Sequence, residues 1–360
     1  MKSTVNAAEF TAALKKASAA LRPSAIPQFQ QVRVQFADDA CRLSASNLEM
    51  WLTIDIPARG DQFSFVFQNT KIAQRAIQHF RDDMTLELCG REETLVVSYG
   101  DKAVEFPTLT DNLHQEPPEV VPTQRYAVNA DALYRRVKNV AYASRERPER
   151  PLAAGVRFQD KRLWCVDGFR LALHEDAALD VKTPFMASAK TLENLKSFGD
   201  ADGELLVGEK HAAIRTQDMR LTCRLIDGKD DLHLENVLPK SSKETYAVDR
   251  KQYLDALRFL RDCVSDRRRQ PVIFDGGQLV MHGVNGTYRA KIDVLEGTSE
   301  VVYGFNVDYM KEALEQFSDE KTVKISATGM ITPIILTADG GATAMVLPVN
   351  ITKYQSEKAA

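Results

Sequence analysis

The chain has 360 residues, a mass of 40.3 kDa and a formal net charge of −3. This length predicts two or three domains rather than a single core, and a charged fraction of 27% with an apolar fraction of 44% excludes wholesale disorder and fibrous repeats. Apolar stretches such as residues 330–338 reach roughly half of the ~20 residues that a membrane span needs. No secretory signal is visible, so we expect a soluble, cytoplasmic protein without a membrane partner.

A pattern of strand and helix residues recurs twice along the chain, at spacings of 123 and 120 residues. In each copy a valine is followed five positions later by an apolar or aromatic residue, and nine positions later by another. This spacing is typical of a strand that ends in a polar N-cap and leads into a helix with one apolar face. The three copies are Val5, Phe10 and Leu14; Val128, Leu133 and Val137; and Val248, Tyr253 and Leu257.

Each third of the chain has a second half built in the same way, in which Phe67, Phe185 or Phe305 precedes a polar cap candidate and a helical stretch. The sequence therefore predicts an α+β fold of three similar domains, each with two β-α-β-β-β units. Predicted helices run over residues 71–81, 189–198 and 307–317, and strand patterns follow at 94–98, 212–215 and 332–336. The expected domains are residues 1–120, 121–243 and 244–350, followed by a C-terminal tail at 351–360.

Basic side chains lead on the polar faces of five of the six predicted helices, although the chain as a whole is acidic. A surface lined by lysine and arginine binds phosphate backbones through charge, without reading their sequence. Solvated helix faces are the alternative interpretation. The sixth helix differs, because Lys311 is accompanied by Glu312 and Glu315. The candidate DNA contacts on the helices are Lys15, Arg75, Arg136, Lys196 and Arg258.

Sequence signals of catalysis are weak. There is no phosphate-binding loop, no hydrolase nucleophile elbow and no zinc-protease motif, and the five cysteines and six histidines are too scattered to predict a metal or a cofactor. A hydrolytic enzyme centred on Asp167 and His174, with Arg170, is the alternative function. Asn47 and Asn285 occupy the related positions in the other repeats, which favours a polar turn residue at Asp167 over a catalytic one.

Several short motifs resemble those of a known family. Residues 166–172, Val-Asp-Gly-Phe-Arg-Leu-Ala, resemble its Thr-Asp-Gly-His/Tyr-Arg-Leu-Ala signature, and residues 150–156, Arg-Pro-Leu-Ala-Ala-Gly-Val, resemble its Arg-Pro-x-Leu-x-Gly-Val strand. Residues 225–228 and 237–239 bracket its Leu-Ile-x-Gly to Val-Leu-Pro segment, and residues 22–27 are similar to its Arg-Pro-x-x-Pro loop. The family is the bacterial DNA polymerase III beta subunit, the DNA sliding clamp, and the chain resembles a divergent member.

The resemblance implies a head-to-tail homodimeric ring, with helices inside and sheets outside, that encircles duplex DNA and tethers the replicative polymerase as a processivity factor. Such a protein has no catalytic activity of its own and no cofactor. The implied partners are double-stranded DNA of any sequence, a second copy of the chain, the polymerase III alpha subunit, the clamp loader delta subunit and other proteins with clamp-binding motifs. A clamp-like scaffold without ring closure is the alternative.

The resemblance also implies roles for individual residues. Arg22 and Arg147 match loop positions that contact DNA in the family, and Phe106 is expected to meet Cys263 and Val264 of the other chain at the dimer interface. The implied partner-peptide pocket is lined by Ala153, Val166, Gly168, Phe169, Arg170, Leu171, Val237, Ile331, Pro333, Met345, Leu347, Pro348 and Val349.

Two departures from the family affect this pocket. The family's Pro-Asp is missing between Gly228 and Val237, and its ending Met-Pro-Met/Val-Arg-Leu appears here as Leu-Pro-Val-Asn at residues 347–350. The tail at 351–360 runs beyond the family's terminus and is expected to shield or extend the groove.

Overall fold

The computed structural model describes residues 1–80, 84–111, 113, 115–145, 151–227, 234–238, 244–264, 270–297 and 300–352. The chain forms two compact units, a first unit of Met1–Tyr134 with Thr191–Leu225 and a second unit of Arg135–Lys190 with Ile226–Ala360. The predicted domain at 121–243 contributes to both units, and the three predicted domain boundaries stay predictions. No helix among the described residues is long and apolar enough to cross a membrane.

Six β-α-β-β-β modules follow one another along the described chain, which confirms the predicted fold class. The first three modules consist of β1 (Lys2–Asn6), α1 (Ala7–Ala20), β2 (Arg33–Ala37), β3 (Ala40–Ser46) and β4 (Met50–Gly60); β5 (Phe63–Phe67), α2 (Thr70–Ile77), β6 (Thr85–Gly90), β7 (Thr94–Tyr99) and β8 (Lys102–Leu109); and β9 (Gln124–Asn129), α3 (Ala130–Ala141), β10 (Gly155–Asp160), β11 (Arg162–Val166) and β12 (Arg170–Glu175).

The last three modules repeat this order, with a short helix and a short strand inserted. They consist of β13 (Val181–Ser188), α4 (Ala189–Leu192), β14 (Asp202–Val207), β15 (His211–Arg215) and β16 (Met219–Arg224); α5 (Leu234–Val237); β17 (Glu244–Asp249), α6 (Arg250–Cys263), β18 (Val272–Asp275), β19 (Gln278–Gly283) and β20 (Gly286–Lys291); β21 (Val294–Gly297); and β22 (Tyr303–Phe305), α7 (Val307–Glu315), β23 (Thr322–Ala327), β24 (Ile334–Thr337) and β25 (Ala342–Val346). Three 3₁₀ helices span Pro27–Gln30, Pro151–Ala154 and Glu193–Phe198.

Side-chain caps start the helices where the sequence predicts them. Asn6 accepts a hydrogen bond from the backbone N–H of Glu9, and Asp249 accepts one from that of Gln252. Each cap satisfies a donor that the first helical turn leaves without an intrahelical partner. The same kind of bond is made by Asn69, Asn129 and Asn306. The apolar positions that follow the three valines are all buried, as predicted.

Several predicted element boundaries differ from the structure, most of them by one or two residues, and three of these differences are informative. Helix α2 ends at Ile77 rather than at residue 81, which lies outside the described residues. The helix predicted at 189–198 is α4 for one turn and then a 3₁₀ helix. The strand predicted from residue 332 begins at Ile334, because Pro333 has no N–H to donate and Thr332 closes a turn by donating to the carbonyl of Gly329.

The first unit contains one continuous sheet, in the order β1-β6-β7-β8-β5-β2-β3-β4-β16-β15-β14-β9. Strand β4 joins the strands near the N-terminus to those at 202–224 by antiparallel pairing with β16, in which Leu52 lies opposite Leu221. Helix α1 packs on β3 and β4 and buries Phe10 and Leu14.

The second unit contains two sheets. The larger has the order β13-β10-β11-β12-β25-β24-β23-β17-β21, and the smaller has the order β20-β19-β18-β22. Strand β12 pairs antiparallel with β25, and Leu171 lies opposite Met345 at this joint. Helices α6 and α7 pack together, and both contribute buried side chains to one core with strands of both sheets.

Candidate partner-binding and nucleic-acid surfaces

The turn between β11 and β12 is held by Asp167. Its Oδ1 accepts hydrogen bonds from the backbone N–H groups two and three residues later, at 2.9 and 3.1 Å, and Gly168 adopts φ 89° within the turn. Asn47 makes the same two bonds at the related position of the first module, at 3.1 and 2.9 Å. An amide performs the same task there, so turn formation accounts for Asp167 without any catalytic role.

The second member of the alternative hydrolytic pair, His174, lies at the other end of β12. Its Nδ1 is buried and has no hydrogen-bond partner in the described structure. Burial, with the nearby positive charge of Arg136, lowers the pKa of the imidazole. Among the described residues no hydrogen bond or ion pair joins His174 to Asp167, so the catalytic pair is not assembled.

Arg170 is the buried centre of an ion-pair and aromatic network. Its guanidinium pairs with Asp167 at 3.1 Å and with Glu312 of α7, and it lies over the rings of Tyr309 and Tyr142, at 4.7 and 5.4 Å from their centroids. Burial alone would lower the pKa of Arg170, but the two carboxylates outweigh burial and raise it. The side chain is only 9% exposed, and its charge is already paired within the chain.

Phe169 extends this network towards solvent. Phe169 is 48% exposed, and its ring is stacked on that of Tyr309 with the centroids 6.0 Å apart. The guanidinium of Arg145 lies 5.0 Å from the centroid of the Phe169 ring. The backbone carbonyl of Phe169 accepts a hydrogen bond from the N–H of Leu347 at 2.8 Å. The turn at 167–170 is therefore fixed both by the network and by the segment that follows β25.

An apolar cluster, which we call the β11–β12 cluster, lies on the opposite face of the same strands, because side chains alternate along a strand. Its five buried members come from β11, β12, β25 and α5. They are Trp164, Leu171, Leu173, Leu234 and Met345. Half-buried apolar side chains border them and present apolar surface. These are Leu152, Val166, Val237, Leu238, Ile335 and Leu347.

Five of the residues predicted to line the pocket belong to this cluster, namely Val166, Leu171, Val237, Met345 and Leu347. Ala153 is half-buried in the 3₁₀ helix next to Leu152, and Gly168 is exposed in its turn. Ile331 is 86% exposed in the turn before β24, while Pro333, Pro348 and Val349 are half-buried at the ends of the last two strands.

Sequence reasoning missed Trp164 and Leu173 as members of the cluster. A signal was present, because Trp164 lies two residues before Val166 and Leu173 lies two residues after Leu171, which puts each pair on one face of its strand. The same alternation separates Arg170 from Leu171, and this explains why the guanidinium lies on the face opposite the cluster.

The segment after β25 is anchored to β22. The N–H of Val349 donates to the carbonyl of Gly304 at 2.8 Å, and Ile351 is only 1% exposed. A Cβ atom at Gly304 would lie 2.2 Å from the Cγ2 of Ile351, so the close approach requires glycine. The predicted tail thus begins inside the fold, and residues 353–360 lie outside the described residues.

The predicted DNA-contacting side chains differ in whether their charge is already paired within the chain. Lys15, Arg75 and Lys196, all in the first unit, are exposed and have no carboxylate partner among the described residues. In the second unit Arg136 pairs with buried Asp176 at 2.6 Å. The other predicted contacts are partly engaged or lie outside the described residues. Arg258 pairs with Asp255 and Glu315, Arg22 donates to the carbonyls of Ala19 and Leu21, and Arg147 lies outside the described residues.

The predicted dimer residues lie near two strand edges. Phe106 is on β8, 6% exposed, with its ring edge-on to Phe67. Val264 directly follows α6, is 5% exposed and lies under Gly283 at the end of β19, while Cys263 is half-buried beside it. Among the described residues no group of three or more His, Cys, Asp or Glu side chains is placed to hold a metal ion.

Comparison with known proteins gives a match to solved structures alone. No protein-family model matches the chain, and no curated protein does. The chain is similar to the DNA polymerase III beta subunit of Thermotoga maritima, with a TM-score of 0.86 and 20% identity over 98% of this chain and 100% of the other. It is similar to the putative beta subunit of Eubacterium rectale, with a TM-score of 0.86 and 16% identity over the same shares.

The Bacillus subtilis DNA polymerase sliding clamp gives a TM-score of 0.85 and 18% identity, over 97% of this chain and 99% of the other. These matches extend over both units and nearly the whole length of each chain. Together with the six modules, they show that this chain has the fold of the bacterial DNA polymerase III beta subunit, the DNA sliding clamp.

Proposed function

We propose that the protein is a DNA sliding clamp, in which two chains close around duplex DNA and tether the replicative polymerase and other partners. The observation that carries the proposal concerns the last strands of the six modules. Four of them pair with one another, whereas the other two lack a full partner strand on one side among the described residues. A closed ring retains DNA by topology while it still slides, and a tethered polymerase stays at a high effective concentration near its template. This role requires no catalysis.

The last strands of the six modules support ring closure. Within one chain β4 pairs with β16, and β12 pairs with β25. Two last strands are left over: β20 pairs with β19 alone among the described strands, and β8 pairs with β7 along its length but with β5 only at residues 108–109. Such edges expose unpaired backbone donors and acceptors.

Pairing of β8 with β20 of a second copy would repeat the two joints that already exist within the chain. Among the described strands, each chain has one free β8 edge and one free β20 edge. Two copies can therefore pair all four edges with one another and form a closed ring. Exposed Glu105 on β8 complements exposed Arg289 and Lys291 on β20. The same pairing would bring Phe106 to the side on which Cys263 and Val264 pack, as the sequence predicts for the interface.

The three exposed, unpaired cations Lys15, Arg75 and Lys196 support binding of a phosphate backbone. Contacts between cations and phosphates carry no sequence information, so DNA of any sequence is the proposed ligand. Arg136 and Arg258 are weaker contributors, because carboxylates already neutralise them.

The β11–β12 cluster is the proposed site for partner peptides from the polymerase III alpha subunit, the clamp loader delta subunit and similar proteins. Its half-buried apolar side chains, with the backbone of the neighbouring turn, suit an extended peptide with glutamine, leucine and phenylalanine anchors. Leu347 and Pro348 lie in the segment after β25, which borders this proposed peptide site.

A titration with a fluorescent Gln-Leu-x-Leu-Phe peptide tests this site. We expect micromolar binding to the intact protein and at least about tenfold weaker binding when Leu347 and Pro348 are both changed to alanine, because buried apolar contact is lost. Val284→Ala is the matched control, since Val284 is 91% exposed in the β19–β20 turn, away from the cluster. Absence of binding to the intact protein would contradict the assignment of the pocket.

A further inference from the structure

One arginine beside the β11–β12 cluster has no partner for its charge among the residues that the structure describes. Arg157 of β10 lies opposite Trp164 of β11, with its guanidinium 5.6 Å from the centroid of the indole ring. The Nε atom of Arg157 and the Nε1 atom of Trp164 are both buried, and neither has a hydrogen-bond partner in the described structure. No carboxylate among the described residues pairs with Arg157.

Several other arginines of the second unit are matched with acids. Arg136 pairs with Asp176, and Arg162, on the same strand face as Trp164, pairs with both Glu175 and Glu235. A half-buried guanidinium with an unsatisfied N–H is costly in the free protein, and a bound carboxylate would remove that cost. The site is therefore complementary to an anion that none of the described residues supplies.

The position of Arg157 links this charge to the proposed peptide site. Trp164 is a buried member of the β11–β12 cluster, so its indole joins the guanidinium to the apolar surface. Arg157 lies opposite Trp164, and Trp164 lies opposite Leu173 of β12, so Arg157 and Leu173 are separated by one strand, which corresponds to two strand spacings or about 10 Å. An extended peptide covers about 3.3 Å per residue, so about three residues would span that distance.

We propose that Arg157 selects partner peptides that carry a carboxylate side chain about three residues from their apolar anchor. This inference rests on the proposed peptide site and specifies the chemistry of its ligand. The planar guanidinium, stacked on the indole, presents its remaining N–H groups in a fixed orientation that matches the two oxygens of an aspartate or glutamate. Apolar anchors seat the peptide, and the carboxylate sets the preference among partners.

Matched peptides test the proposal. Each carries the Gln-Leu-x-Leu-Phe core and a single glutamate placed one to five residues from the core on either side, and its control has glutamine at the same place. We expect the best glutamate peptide to bind about tenfold more tightly than its glutamine control, since a close charge pair at an interface is worth at least that much. The preference should shrink as salt is raised.

Variants assign the preference to one side chain. Arg157→Gln should bind the glutamate and glutamine peptides equally, while Arg157→Lys should keep part of the preference because it keeps the charge. Arg162→Gln is the matched control, an arginine on the same face whose charge is already paired, and it should keep the full preference. The salt dependence in the intact protein gives a readout that requires no variant.

The outcomes separate this inference from the proposed function. If the glutamine peptides bind the intact protein as tightly as the glutamate peptides at every position, the role of Arg157 is wrong while the apolar pocket stands. A preference that survives Arg157→Gln would also overturn it. If no peptide of either kind binds the intact protein, the pocket itself is wrong and the inference falls with it.

Discussion

Arg170→Ala is expected to lower the free energy of unfolding of the second unit by about 3 kcal/mol. The substitution removes two ion pairs and the stacking on two tyrosine rings, and it leaves the carboxylate of Asp167, which is 2% exposed, without its closest cation. Arg145 lies 3.9 Å from that carboxylate and compensates only in part. Urea or thermal unfolding measures the change.

Arg162→Ala is the matched control for this prediction. Arg162 also pairs with two carboxylates, but its side chain is 39% exposed, so its loss should cost less than about 1 kcal/mol. Arg170→Lys should fall between the two, because lysine keeps the charge but lacks the planar donors. Equal effects of Arg170→Ala and Arg162→Ala would show that the network contributes little to stability.

Glu105→Pro is expected to weaken the proposed dimer about 100-fold without unfolding the chain. The carbonyl of Pro107 accepts a hydrogen bond from the N–H of Gln68, so the backbone polar group of residue 107 points away from β7. Because this orientation alternates along a strand, the backbone N–H and C=O of Glu105 also point away from β7. Proline at 105 therefore removes an edge donor but no bond to β7. The partner carbonyl on β20 would then be unsatisfied at both joints of the ring, at a combined cost of about 3 kcal/mol.

Light scattering during gel filtration measures the result. The intact protein should have twice the 40.3 kDa mass of one chain, and Glu105→Pro should have the mass of one chain at the same concentration. Glu105→Gln keeps the backbone donor and should stay dimeric, with a modest loss from the missing charge. An intact protein with the mass of one chain would favour the scaffold without ring closure.

The fold could be predicted from the sequence because its signals are local and repeated. The residues that cap helices, such as Asn6 and Asp249, lie within three residues of the N–H groups they bind. Burial of the apolar positions five and nine residues after each valine could be predicted from helix periodicity alone. The exact ends of elements were less predictable, as at Pro333, where backbone chemistry and a local turn together decide where the strand begins.

The candidate site was only partly predictable, since its charges are balanced by residues distant in sequence. Arg136 pairs with an aspartate 40 residues away and Arg170 with a glutamate 142 residues away. Neither partner could be identified from spacing, so both arginines resembled free surface cations or pocket residues. Trp164 was different, because strand alternation alone would have placed it in the cluster.

The measurement that tests the central claim most directly is retention of the protein on circular DNA. Two chains are allowed to associate in the presence of a nicked plasmid, and the mixture is then passed through a gel-filtration column at a salt concentration that screens phosphate contacts. A closed ring should stay with the circle and be lost once a restriction enzyme linearises it. Equal loss from circular and linear DNA would contradict the proposal that this protein encircles DNA.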